Sequence, residues 1–177
     1  MRRLLITIAL VLSGLALTGL PAGATAENCQ ARGPGVNLSG CNLSGANLAG
    51  ANLGGANLID ANLNDATLTG ANLDGARLIA ADLDGAHIGG HATLVRATLL
   101  GASLHGADLA GANLTDTNLI QSYLVGANLE DANLSNADLA ASFLDGAKLS
   151  GATLSGTRWS QAAVCPNGNS ANPTCSP

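Results

Sequence analysis

Residues 36–75 read VNLSG CNLSG ANLAG ANLGG ANLID ANLND ATLTG ANLDG. The unit is a small residue, usually Ala, then a polar residue, usually Asn, then Leu, then two variable positions that often end in Gly. It continues to about Val164, and such a repeat outranks every other signal in a chain. A helix does not fit. At about 100° per residue, a step of five carries each Leu about 140° round the axis, so the leucines circle it and no apolar face forms. Frequent Asn and Gly oppose a helix further. In an extended segment alternate residues share a face. The Ala and Leu of each unit then point inward and the Asn between them points out. The chain turns within the remaining two residues, where Gly adopts the required dihedrals at low cost.

Over residues 36–164 this pattern resembles the pentapeptide-repeat family, whose motif is A(D/N)LXX. The resemblance implies an all-β fold: a right-handed, four-sided parallel β-helix with four units, about twenty residues, per coil. Coils stacked about 4.8 Å apart give six to seven coils and a rod about 30 Å long. The chain itself supports the four-sided count. After Leu83 and Ile88 the next central residue is Leu94, one position late, so Gly89-Gly90-His91 holds a one-residue insertion, a corner bulge. With that allowance Ile59, Ile79, Leu100 and Ile120 fall at the same outward position of one side. Tyr123 and Phe143 become neighbours on adjacent coils, as do Ser122 and Ser142, which replace the inward Ala. Trp159, too large for a regular coil, is expected to close the core. Leu104 and Leu109 are expected not to tolerate a charge.

Apolar residues make up 47% of the chain and aromatics only 2%, which predicts a narrow, regular core without large rings. Residues 1–26 read as a signal peptide. Arg2 and Arg3 precede an apolar run from Leu4 to Leu20, and Ala24-Thr25-Ala26 is a small-residue cleavage site. The expected location is secreted or periplasmic. Cleavage leaves five basic residues against twelve acidic ones, a net charge of −7. That balance disfavours nucleic acid and anionic membrane surfaces as partners. Cys29, Cys41, Cys165 and Cys175 remain, and an even number in an exported chain points to disulfides. A bridge needs Cα atoms within about 7 Å, whereas the ends of the implied rod lie about 30 Å apart. The expected pairs are therefore Cys29–Cys41 and Cys165–Cys175. They would pin an N-terminal cap, 27–35, and a C-terminal cap, 165–177, over strand edges that otherwise invite association.

Little in the chain points to catalysis, a cofactor or a metal. His87, His91 and His105 cluster around the bulge in sequence, with Asp108 expected beside His87. A convex rod offers them no pocket that excludes water. Asp138 and Arg158 should stack as an exposed pair. One side repeats Asn52, Asn72, Thr93, Asn113, Asn133 and Thr153, the family's ordinary outward residue. The ridge of Ile59, Ile79, Leu100 and Ile120, with Tyr123, Phe143 and Val125 round the next corner, is the candidate interaction surface. It would serve a protein partner or a homodimer, unless its members merely pack on one another and stabilise the ladder. The expected function is a non-catalytic, exported structural or interaction scaffold. The alternative comes from the resemblance: some family members mimic DNA and bind type II topoisomerases, protecting them from quinolones. The signal peptide, the scattered charge and the lack of a projecting loop weigh against it.

Overall fold

The computed structural model describes residues 28–159. Asn28–Gln30 form a short 3-10 turn. From Asn37 to Arg158 the backbone is joined by isolated parallel β-bridges rather than by continuous strands. The reason is the five-residue period: the chain turns before a second residue can pair on the same side. Each bridge joins residues twenty apart, or twenty-one apart where the pair spans Gly89–His91. The insertion read from the sequence is thus absorbed locally, and the register recovers by Thr93.

The bridges fall into four columns, one per side of the coil. The first side carries Asn37, Asn57, Arg77, Thr98, Asn118, Asp138 and Arg158. The second carries Asn42, Asn62, Asp82, Ser103, Tyr123 and Phe143. The third carries Asn47, Thr67, His87, Asp108, Asn128 and Lys148, and the fourth Asn52, Asn72, Thr93, Asn113, Asn133 and Thr153. Within a bridge the Leu58 N–H donates to Arg77 O at 2.7 Å, and the Arg77 N–H donates back to Ala56 O at 2.9 Å. This exchange repeats along the coils, so backbone polar groups of one turn are satisfied by the next.

Corners are type II turns. The Ala61 N–H donates to Leu58 O three residues back at 3.1 Å, and the residue before the Ala, here Asp60, has φ 56°. Gly fills that position most often, but Ala80, Arg96, Gln121 and Ala141 also stand there at positive φ. At the insertion Gly90 (φ 63°) and His91 (φ 69°) follow each other in the left-handed region. Gly89 is buried there, and a Cβ on it would lie 2.9 Å from the Ala110 carbonyl oxygen.

Inside, the core of buried Leu and Ala runs from Leu38 to Leu149, with Ala46 and Ala51 of the first coil half-buried. Where Ala gives way to Thr117, Ser122 or Ser142, the hydroxyl is buried and donates to the Leu carbonyl three residues back, at 2.6, 2.7 and 2.7 Å. Each substitution therefore keeps its polar atom paired. Trp159 is half-buried and packs against the core. Cys29 and Cys41 form a disulfide with Cα atoms 5.4 Å apart. The second expected pair, Cys165–Cys175, the 165–177 cap and the 1–26 leader lie outside the described residues.

Candidate interaction surface

The repeat Asn proves to have a local task that periodicity alone does not reveal. Its side-chain oxygen accepts the N–H two residues on, closing an Asx turn at the corner: Asn62 to Asn64 at 3.0 Å, Asn118 to Ile120 at 3.0 Å, Asn133 to Ser135 at 3.0 Å. Direct side-chain stacking between coils occurs at fewer places, such as Asn57 Nδ2 donating to Asn37 Oδ1 at 2.9 Å. Asp82, Asp108 and Asp138 perform the same turn-closing role as Asn. Those carboxylates are placed first by the backbone, whatever else they do.

The aromatic departures from this pattern stand on the second side. Tyr123 and Phe143 occupy consecutive rungs there, with ring centroids 5.0 Å apart and planes 6° from parallel. They are 42% and 45% exposed, the two large apolar side chains that stand out from the described coils. A repeat Asn would have closed its own corner; an aromatic ring cannot, and it leaves apolar area in water instead.

The corner between the first and second sides carries the aliphatic ridge. Asp60 N–H donates to Ile79 O, Ala80 N–H to Leu100 O and Gly101 N–H to Ile120 O, at 3.0 Å each, so the ridge residues follow rung by rung. Ile59, Ile79, Leu100 and Ile120 are half-buried. Part of their surface therefore faces solvent. Ser39 precedes this ridge and Ala140 follows it. At the opposite corner of the second side Val125, half-buried, sits one coil beyond His105.

The histidines separate. His87 bridges to Asp108 on the third side, and His91 lies exposed at the corner between the third and fourth sides. His105 lies one coil on from Asp84. It stands at the corner between the second and third sides, with its ring 5.8 Å from that of Tyr123. Among the described residues no group of three His, Cys, Asp or Glu could hold a metal ion. Asp138 and Arg158 stack as expected, Nε to Oδ2 at 3.7 Å, at an exposed site.

The charges are unevenly placed. The second side and its two corners hold Asp60, Asp65, Asp82, Asp84 and Asp145 and no Lys or Arg. The basic residues of the coils lie elsewhere: Arg77 and Arg158 on the first side, Lys148 on the third, and Arg96 at the corner between the fourth and first. Asp84 uses one oxygen internally, accepting from Ser103 Oγ at 2.6 Å and His105 N–H at 2.9 Å.

Comparison with known proteins agrees with this geometry. A family model described as pentapeptide repeats matches in eight copies over residues 37–75, 61–91, 90–121 and 112–151. A pentapeptide repeat protein from the thylakoid lumen of Arabidopsis thaliana is 33% identical, with a TM-score of 0.50, over 51% of this chain and 62% of that one. This chain thus spans under two thirds of that relative's length. HetL, a pentapeptide repeat protein of the cyanobacterium Nostoc involved in heterocyst differentiation regulation, is 31% identical over 75% of this chain and 76% of its own, with a TM-score of 0.35. Trypsin-treated QnrB1, a plasmid-mediated fluoroquinolone resistance protein, is 20% identical over 72% and 81%, with a TM-score of 0.46. No curated protein matches. With family repeats matched from residue 37 to residue 151 and bridges stepping by one coil throughout, the chain belongs to the pentapeptide repeat family.

Proposed function

We propose that this protein is a non-catalytic scaffold that works outside the cytoplasm and presents its second side to a protein partner. In this reading the coil is right-handed and makes six to seven turns, as the family resemblance implies. Caps at 27–35 and 165–177 cover its ends, the second one pinned by Cys165–Cys175. The Cys29–Cys41 disulfide and the leader-like sequence of residues 1–26 support an oxidising location. No cofactor takes part, and neither nucleic acid nor membrane is the partner of the mature chain. The single observation that carries the reading is the stacked, exposed pair Tyr123 and Phe143, beside the ridge of Ile59, Ile79, Leu100 and Ile120, on a rod whose other outward positions are mostly Asn, Thr or charged. Aromatic residues of this kind are enriched where proteins meet.

The solution mass of the oxidised protein by light scattering tests who the partner is. It is to be measured beside an Ile79→Asp, Ile120→Asp double variant. A monomer in both rules out self-association there and leaves either a ridge that stabilises the ladder or a site for a different protein. A dimer that the variant turns into a folded monomer makes the ridge a self-interface. The alternative, a topoisomerase-binding DNA mimic, draws support only from the acidic balance of the chain. A gyrase supercoiling assay with ciprofloxacin decides it, and no protection at any protein concentration ends it.

A further inference from the structure

We infer that the second side receives an extended, cationic segment of a different protein, with a large apolar side chain on the Tyr123–Phe143 step and Lys or Arg over the acidic coils before it. The inference rests on the reading of this side as an interface and adds the chemistry of what binds there.

The side is divided along its length. Asp60 and Asp65 flank the rung of Asn62, and Asp82 and Asp84 stand on the next rung. Ser103 follows, and then the two aromatic rungs of Tyr123 and Phe143, with Asp145 just beyond. Three steps separate Asp82 from Phe143, or about 14 Å at the β spacing. An extended polypeptide advances about 3.3 Å per residue, so it covers that distance in about four residues. A segment with its basic and apolar residues about four apart therefore meets both halves at once. The ridge residues Ile79, Leu100 and Ile120 line one edge of its path, and His105 and Val125 the other.

Charge decides between occupants. A second copy of this chain, laid face to face, would oppose five carboxylates with five more and offer no Lys or Arg from either face; like charges brought together in this way cost affinity and suppress the pairing. Nucleic acid and anionic lipid meet the same repulsion. A cationic partner is attracted by the acidic half and buries the apolar half.

The test uses the oxidised full-length mature protein and fluorescence anisotropy. The probe is a labelled peptide of about twelve residues in a Gly-Ser frame, with two Lys placed about four residues from a Trp–Leu pair. Two control peptides replace Lys by Glu, or Trp and Leu by Ser. The Lys/Trp peptide is expected to bind best, and to weaken as salt rises. Tyr123→Ser with Phe143→Ser should weaken it by about tenfold or more. Asp60→Asn, Asp65→Asn and Asp82→Asn together should weaken it about fivefold and flatten the salt dependence. The matched set Asp108→Asn, Asp116→Asn and Asp131→Asn removes the same charge from other sides and should change nothing. Circular dichroism confirms that each variant keeps its coils. Equal loss from both Asn sets, or a Glu peptide that binds as well and is lost with the aromatics, overturns the cationic preference while leaving the surface an interface. Binding by no peptide, or binding indifferent to Tyr123 and Phe143, overturns the inference; if the ridge also proves to be a self-interface, the partner reading falls with it.

Discussion

The second and fourth sides of the coil share one backbone and one core, yet their outward residues have little in common. The fourth repeats Asn52, Asn72, Thr93, Asn113, Asn133 and Thr153, small polar residues that mostly close the next corner or bond to the neighbouring coil. The second begins in the same way with Asn42 and Asn62 and then runs through Asp82 and Ser103 to Tyr123 and Phe143. The leucines from Leu43 to Leu144 under the second side and from Leu53 to Leu134 under the fourth are buried alike, and the inward Ser122 and Ser142 beneath the two aromatic rungs are buried too. In a solenoid each outward position is nearly free of the core, so a departure from the repeat is where a requirement other than folding has acted.

The largest effects are expected in the interior that the two sides share. Leu104→Asp lies under the second side and Leu114→Asp under the fourth. Both should unfold the protein or cost more than about 4 kcal/mol, because each buries an unpaired charge in a slender core. Guanidinium denaturation followed by circular dichroism measures this, and a large difference between the two would show that the sides do not share one core. The next effect is at the insertion. Gly89→Ala should cost about 2 kcal/mol, since its Cβ meets the Ala110 carbonyl. Gly111→Ala, at φ 66° but with open space around the new carbon, should cost about 1 kcal/mol.

Smaller effects sharpen the contrast between the sides. Asn133→Ala on the fourth side removes the acceptor for both the Ser135 N–H and hydroxyl and should cost about 1 kcal/mol in the same assay. Tyr123→Asn on the second side restores the ordinary repeat residue. It loses a ring stack worth about 1 kcal/mol and regains a turn-closing bond worth about as much, so thermal melting should move little. The same change should abolish most peptide binding. A residue that is nearly neutral for folding and decisive for binding is the signature this surface should give.

Much of this was legible in the residues. The five-residue step fixes which side chains point inward, and the late Leu94 locates the insertion without any coordinates. The neighbours Tyr123 and Phe143, Ser122 and Ser142, and Asp138 and Arg158 all follow from the twenty-residue turn, and they stand so. Two things did not follow. The corners take Ala80, Arg96 and Gln121 at positive φ, a conformation that these residues do not announce. The Asn oxygens serve the local turn more often than the neighbouring coil, because the N–H two residues on lies within 3.0 to 3.4 Å, as at Asn37, Asn42, Asn57 and Asn62.

The most direct test of the second side as the interface is amide chemical-shift mapping of the labelled protein during titration with the Lys/Trp peptide. The account predicts the largest shifts at Ser103, His105, Tyr123, Val125, Phe143 and Asp145, with Asn113 and Asn133 on the fourth side unmoved. Shifts centred on the fourth side, or spread evenly over all four, would contradict it.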